Sequence, residues 1–194
     1  MTTPTIETVT ASDEAPAIAV VVLAFSVDPA ARWTWPDPQQ YLMHFPSFVR
    51  ALGGNAFAHG GAYRVDGHAG AALWLPPDVR PDEDAVARLL QRTGSASVQK
   101  DLSAVFEQME RYHPRDPHWY LPFIGIDPSR QGSGYGSALM KHALEACDGD
   151  HATAYLESSN PKNIPLYERH GFELLGTIQV GSSPPIFPML RKPR

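Results

Sequence analysis

The chain has 194 residues and a formal charge of −5. That length supports one sizeable hydrophobic core and is short for two, so residues 1–194 are expected to form a single domain. Sixteen Lys and Arg against twenty-one Asp and Glu leave out the basic footprint that nucleic acid requires. No window approaches the roughly eighteen consecutive apolar residues of a membrane span. The longest apolar run, Ala17 to Phe25, follows Asp13 and Glu14 in place of a basic segment. It reads as a buried helix and not as a secretion signal. A single cysteine, Cys147, excludes an internal disulfide and a multi-cysteine metal centre. These features predict a soluble, cytoplasmic protein without nucleic-acid or membrane partners and without a metal.

Thr5 to Thr10 alternates as a first strand. Ser12 or Asp13 is expected to cap a helix from about Glu14 to Ser26, with acidic residues in its first turn where the helix dipole favours them. Asp37 opens a second helix, Pro38 to Leu52, which Gly53-Gly54 stops. Phe57 to Val65 and Ala69 to Leu75 read as a hairpin turning at Asp66-Gly67. Helices follow near Asp82 to Arg92 and Ala96 to Tyr112; His113-Pro114 ends the second, because a residue before proline avoids the helical region. A long strand is expected over Trp119 to Ile126, then a loop, then a helix from Tyr135 to Cys147. The apolar positions 139, 140, 143, 144 and 147 of that helix share one face. A strand at Ala152 to Leu156 comes next, then a short helix that ends at Gly171 as a left-handed C-terminal cap. Strands near Phe172 to Val180 and Ile186 to Leu190 complete the chain. The order β-α-α-β-β-α-α-β-α-β-α-β-β fits a mixed α/β domain better than a purely parallel sheet.

The strongest chemical signal lies in Ile124-Gly125-Ile126-Asp127-Pro128-Ser129-Arg130-Gln131-Gly132-Ser133-Gly134-Tyr135-Gly136-Ser137. Three glycines at alternate positions, 132, 134 and 136, stand between a strand and an amphipathic helix. Glycine lets the backbone turn tightly and lets a ligand approach without a Cβ in the way. The free N–H groups of the helix N-terminus then favour an anion. The spacing differs from the dinucleotide fingerprint, and the Gly-Lys-Ser/Thr of a nucleoside-triphosphate loop is missing. A loop that merely turns the chain remains an alternative on this evidence alone.

Gln131-x-x-Gly134-x-Gly136, directly after a strand ending Ile126-Asp127-Pro128, resembles the coenzyme A signature of the GNAT superfamily of N-acetyltransferases. Leu166-Tyr167-Glu168-Arg169-x-Gly171-Phe172 resembles the second hallmark of that family, and the two occur in the family's order. The similarity extends through His113-Pro114-Arg115-Asp116-Pro117-His118-Trp119-Tyr120-Leu121, Leu156-Glu157-Ser158-Ser159 and Met189-Leu190-Arg191-Lys192-Pro193, which look like the puromycin N-acetyltransferase branch. The resemblance implies a GNAT-like mixed, mostly antiparallel sheet flanked by helices, with a coenzyme-binding core over about 118–175. It implies acetyl-CoA as cofactor. Ile124, Gly125 and Ile126 would meet its pantetheine arm, and Gln131, Gly132, Ser133, Gly134, Tyr135, Gly136 and Ser137 its pyrophosphate. An asparagine, Asn160 or Asn163, would contact the coenzyme; Asn163 also reads as a helix N-cap.

The implied reaction is direct attack of an amine on the thioester through a tetrahedral intermediate. A backbone N–H within residues 124–126 would stabilise the oxyanion. Tyr167 would protonate the leaving thiolate, since a phenol is protonated at neutral pH; its alternative is a core tyrosine. An alkyl amine is overwhelmingly protonated at pH 7, so a base is required. Glu157, at a strand end, is the first candidate, against a structural carboxylate. His113 and His118 read as polar surface or packing residues, Cys147 as a buried packing residue, and Arg191, Lys192 and Arg194 as a solvated terminus. Trp33, Trp35 and Trp74 are candidates for an aromatic acceptor pocket, against simple core filling. The expected acceptor is a primary amine of a small molecule. A peptide N-terminal amine and a non-catalytic acetyl-CoA-binding module remain alternatives. A homodimer formed through the C-terminal strands is compatible with the sequence and not required by it.

Overall fold

The computed structural model describes residues 3–94 and 96–194. In chain order its elements are β1 (Ile6–Thr8), α1 (Glu14–Ala24), α2 (Pro29–Thr34), α3 (Pro38–Gly53), α4 (Asn55–Ala58), β2 (Ala62–Val65), β3 (Gly70–Leu75), α5 (Glu83–Thr93), α6 (Ala96–Tyr112), β4 (His118–Ile126), α7 (Tyr135–Gly149), β5 (Thr153–Ser158), α8 (Ile164–Arg169), β6 (Glu173–Leu174) and β7 (Phe187–Arg191). The strands form one sheet in the order β1-β2-β3-β4-β5-β7-β6. Among the described residues β4 and β5 are the one parallel pair, and the others are antiparallel. This is the mixed, mostly antiparallel sheet flanked by helices that the sequence predicts.

The sheet carries a core on each face. One face buries Val21 of α1, Tyr41, Phe45 and Val49 of α3, Leu90 of α5 and Leu102 of α6 against Leu73, Tyr120, Phe123 and Tyr155. The other buries Leu139, Met140, Ala143 and Cys147 of α7 and Tyr167 of α8 against Trp74, Trp119, Leu121 and Leu156. The α7 residues are the ones whose helical spacing predicts a single apolar face. No helix among the described residues is long and apolar enough to cross a membrane.

Several expectations shift on local grounds. Phe57 starts no strand: Asn55–Ala58 is a turn of helix, and Gly60, at φ +70, turns the chain so that β2 begins at Ala62. Asp13 does not cap α1. Its carboxylate accepts from the Thr10 hydroxyl at 2.7 Å and faces Arg64 at 3.5 Å. The expected strand 172–180 is interrupted: Glu173–Leu174 pairs with β7, and beyond it Ile178 makes an isolated antiparallel bridge to Ile186 and joins it and Val105 of α6 in a small core. Arg191 is no solvated end. Its guanidinium is buried, bonds both Asp148 oxygens at 2.8 Å and donates from Nε to the His170 carbonyl at 3.0 Å.

One irregularity shapes the site. Leu73 pairs with Phe123 but Leu75 pairs with Tyr120, so β4 carries one residue more than β3 across this step. The extra residue lies in the segment holding Pro122, which has no N–H to give a ladder; bulges are where a strand tolerates proline. The bulge also resets side-chain alternation: Trp119 and Leu121 face the α7 core, whereas Phe123 faces the α3 core. Pairing of β4 with β5 ends at Leu121↔Leu156. Past that point β4 stays paired to β3, β5 stays paired to β7, and the two strands part.

Candidate active site

The loop after β4 is held by Asp127, whose carboxylate accepts from the Ser129 amide at 2.8 Å and hydroxyl at 2.7 Å. The following backbone needs glycine at two places, since Gly132 and Gly134 sit at φ +78 and +83. A Cβ at either would meet nothing within 4 Å, so each opens onto free space. Gly134 is the N-cap of α7 and offers no side-chain cap; the first helical bond runs from the Ala138 amide to the Gly134 carbonyl. Among the described residues no acceptor meets the backbone N–H groups from Gln131 to Ser137. A run of free amides at the positive end of a fifteen-residue helix is a ready anion cradle. Gly136 lies inside α7, where a Cβ would make ordinary contact with Leu166 at 3.4 Å. The Ser137 hydroxyl is tied to His170 Nε2 at 2.9 Å, and the Gln131 carboxamide lies 3.4 Å from the Ile126 carbonyl.

A notch opens where β4 and β5 part, lined by Phe25, Ile124, Glu157, Ser159, Asn163 and Tyr167. Gly125 belongs to the same stretch, but its missing Cβ serves packing, since one would stand 2.8 Å from Ala24 of α1. Tyr167 is buried in the α7 core beside Phe172 and also lines the notch, so it both packs and presents its phenol. Burial, and then the Asp28 carboxylate, hold that phenol well above its ordinary range, so it stays protonated. The two asparagines separate. Asn160 caps the turn before α8, accepting from the Lys162 amide at 3.1 Å, whereas Asn163 makes no capping bond and lines the notch. Asn163 thus stands at the N-cap position of α8 that the Pro165 spacing suggests, but the side-chain capping bond is made one turn earlier, by Asn160.

Asp28, which the sequence analysis leaves without a role, stands behind the notch, bonded to Ser159 of its lining. It caps α2 through the Ala30 and Ala31 amides at 3.0 Å and accepts from the Ser159 hydroxyl at 2.6 Å. Burial pushes its carboxyl above the usual range. The signal was available: Asp-Pro is a helix start, with the acid as N-cap and proline in the first turn.

On the other side of β4 and β5 lies a cavity of about 1300 Å³ between α5, α6 and the strand ends. Glu157 lines it as well as the notch, and its side chain is only 5% exposed. Around this carboxylate the register places His118, Tyr120 and Tyr155 on its face of the sheet, with His113 entering from the end of α6. His113 Nδ1 lies 3.7 Å from Glu157, and His113 and His118 meet Nε2 to Nε2 at 3.0 Å. Burial, with the Glu157 charge beside them, raises the phenols of Tyr120 and Tyr155. Burial lowers His118. The two histidines pack against each other and against Tyr120 and Tyr155, as packing residues do, and they also border the Glu157 carboxylate; a clue to their meeting was their placement around Pro114 and Pro117, which brings the end of α6 back to the start of β4.

The tryptophans line neither space. Trp35 fills the α3 core with its indole N–H on Thr93, Trp74 fills the α7 core, and Trp33 donates to Ser182. Cys147 is fully buried and its thiol is pushed up to about 12 by that burial, which removes it as a nucleophile. No cluster suited to a metal occurs among the described residues.

The family model described as acetyltransferase (GNAT) family matches residues 28–172. An uncharacterized N-acetyltransferase of Schizosaccharomyces pombe is 27% identical over 205 aligned positions, covering 95% of this chain and 82% of that protein. A Corynebacterium glutamicum structure described as histone acetyltransferase HPA2 and related acetyltransferase superposes with a TM-score of 0.72 at 28% identity, covering 100% and 98% of the two chains. A Drosophila melanogaster polyamine N-acetyltransferase shares the fold, with a TM-score of 0.67 at 14% identity over 98% of this chain and all of that one. With the family's model spanning most of the sequence and its fold built around this notch, the chain belongs to the GNAT family of acetyltransferases.

Proposed function

We propose that the protein is an acetyl-CoA-dependent N-acetyltransferase whose acceptor is the primary amine of a small molecule. One observation carries the reading: Glu157 lines both the notch and the large cavity, so a single carboxylate stands where two ligands from opposite sides would meet. The cradle residues fit coenzyme A, because the amides of Gln131 to Ser137 lack acceptors and Gly132 and Gly134 keep Cβ atoms out of the space above them. Bound there, the coenzyme would supply an acetyl thioester. Asn163 is the asparagine we assign to its pantetheine arm, and the free edge of β4 at Ile124 to Ile126 offers backbone N–H groups to the oxygen that becomes negative. Tyr167 gives its proton to the departing sulfur, and Glu157 accepts one from the amine.

The cavity exceeds the usual span of small-molecule pockets, roughly 300–1000 Å³, so a bulky amine fits better than a slender one, and a peptide amine is the second reading. Carboxylates such as Glu83 and Glu110 share its wall with Arg80 and Arg115, so selectivity for the amine rests on Glu157. Placement in the puromycin N-acetyltransferase branch, a cytoplasmic setting in which Cys147 stays reduced, and one domain over residues 1–194 belong to the same proposal.

The test is a calorimetric titration with acetyl-CoA, then thiol release over a panel of small amines and of peptides. Tyr167→Phe is expected to bind acetyl-CoA like the wild type while turnover falls about 100-fold or more. Turnover of peptides alone would replace the acceptor class. Binding with no turnover of any amine would reduce the protein to a coenzyme-binding module.

A further inference from the structure

The hydrogen-bond chemistry around Glu157 fixes where protons can sit. His118 Nδ1 lies 2.8 Å from the Asp116 carbonyl, which can only accept, so His118 carries its proton on Nδ1. In the neutral ring Nε2 is then a bare acceptor. Its 3.0 Å contact with His113 Nε2 needs one proton, which His113 must supply. A neutral His113 is therefore bare at Nδ1, the nitrogen that faces Glu157 Oε1 at 3.7 Å. Two acceptors, each with a lone pair, are thus aimed at each other inside a mostly buried cluster, an arrangement that costs free energy unless a proton enters between them.

We infer that His113 and His118 form the proton exit for Glu157, with the space between Glu157 Oε1 and His113 Nδ1 built to receive the proton released by the acceptor amine. This rests on the acetyl-transfer reading of the site. The ammonium proton of the substrate passes to Glu157, leaving the amine its lone pair for attack. Glu157 hands that proton to His113 Nδ1 and becomes a carboxylate again. The resulting imidazolium keeps its Nε2 proton on His118 and is stabilised by the Glu157 charge. Its side chain is 24% exposed, enough to release the proton to water through the cavity. The separation of 3.7 Å is longer than a formed hydrogen bond, as such contacts often are before substrate arrives. The charged or titratable groups facing the pair are Tyr120 and His118 from β4, Tyr155 from β5, Tyr112 from α6 and, toward His118, Arg80. The Tyr155 hydroxyl is buried near the Glu157 carboxylate, leaving a polar atom beside the gap to meet the moving charge. His113 and His118 line the same cavity and are assigned a positioning and proton-release role that acts through Glu157.

Two measurements test this. In the wild-type protein at pH 8, ring-nitrogen NMR shifts are expected to show His118 protonated on Nδ1 and His113 on Nε2; the opposite tautomer at either ring would overturn the inference, whatever the enzyme's activity. In kinetics, His113→Gln, which keeps an Nε2 donor for His118 but cannot take a proton at the gap, is expected to lower kcat at pH 7 by about 10- to 100-fold. Its KM for acetyl-CoA should not change. Above about pH 10, where an alkyl amine arrives already deprotonated, most of the loss should vanish. A variant whose rate falls equally at all pH values, or not at all, sinks the relay while leaving the acetyltransferase reading intact. A wild type that turns over no amine sinks that reading first, and the NMR result still judges the proton arrangement.

Discussion

Asp28 shows how one buried carboxylate can hold a site together without entering its chemistry. It joins the start of α2 to the end of β5, accepting two amides and the Ser159 hydroxyl across 131 positions of sequence. Its charge is also one of the two causes of the raised Tyr167 phenol. Because burial pushes its own carboxyl up, the charged form is held at a cost, and a neutral side chain of the same shape should be tolerated. Asp28→Asn can still accept both amides through Oδ1 and can donate to Ser159. It is expected to keep stability within about 0.5 kcal/mol of the wild type or to raise it. Asp28→Ala leaves the two amides and Ser159 without their acceptor and should cost about 1–2 kcal/mol. Urea midpoints of the two variants check this; equal losses would mean that the charge, and not the acceptor geometry, is what matters.

In the proposed function the loop from Asp127 to Gly134 and the helix after it act as one anion-binding element, and that role makes a separable prediction. Gly134→Ala places a Cβ into open space at φ +83, so the free protein pays only the left-handed backbone strain, about 1–2 kcal/mol. The same methyl stands over the free amides. Acetyl-CoA affinity should therefore fall by about tenfold or more, a loss that calorimetry at a temperature where the variant is folded would read; unchanged affinity would move the coenzyme elsewhere. The geometry of this element was legible in the sequence because its signals are local: glycine spacing, a preceding strand and an amphipathic helix suffice. The Glu157 cluster was not, since His113, His118 and Tyr155 are brought together by strand register and by the return from α6, which no local pattern encodes. Pro122 lies between these cases. A proline inside a strongly apolar strand is a legible sign of a bulge, yet that the bulge frees β4 from β5 depends on pairing with two neighbours. Asn163 does take the N-cap position of α8, but the proline rule that places a helix start cannot say which of two nearby asparagines makes the capping bond and which lines the notch.

Across the whole molecule the ionisable groups predict a stability curve with a limb on each side. Arg191 binds β7 to the end of α7 through Asp148, and Arg191→Ala should cost about 2–3 kcal/mol, below the 3–5 of a fully buried pair because Asp148 keeps access to water. The pair holds the Asp148 carboxyl below its ordinary 3.8, so its contribution is present above that pH and is lost as pH falls through the lower, folded value. His118 and His170 act earlier. Burial lowers both from 6.5, so on acidification the unfolded chain takes up protons first and stability declines from about pH 6.5 downward. Asp28 opposes this. Its raised carboxyl binds a proton in the folded state above 3.8, which favours folding as pH falls through that window. Two histidines outweigh one carboxyl at the start of the decline, and Asp28→Asn, which removes the opposing group, should steepen it. On the alkaline side Tyr41, Tyr120, Tyr155 and Tyr167 all have phenols raised above 10.0 by burial. The unfolded chain ionises first there, so stability is complete below about pH 10 and falls above it. Urea midpoints measured from pH 3 to 11 should peak between about 7 and 9; a midpoint that stays level from pH 7 to 5 in Asp28→Asn would show that the two histidines are charged in the fold, against their burial.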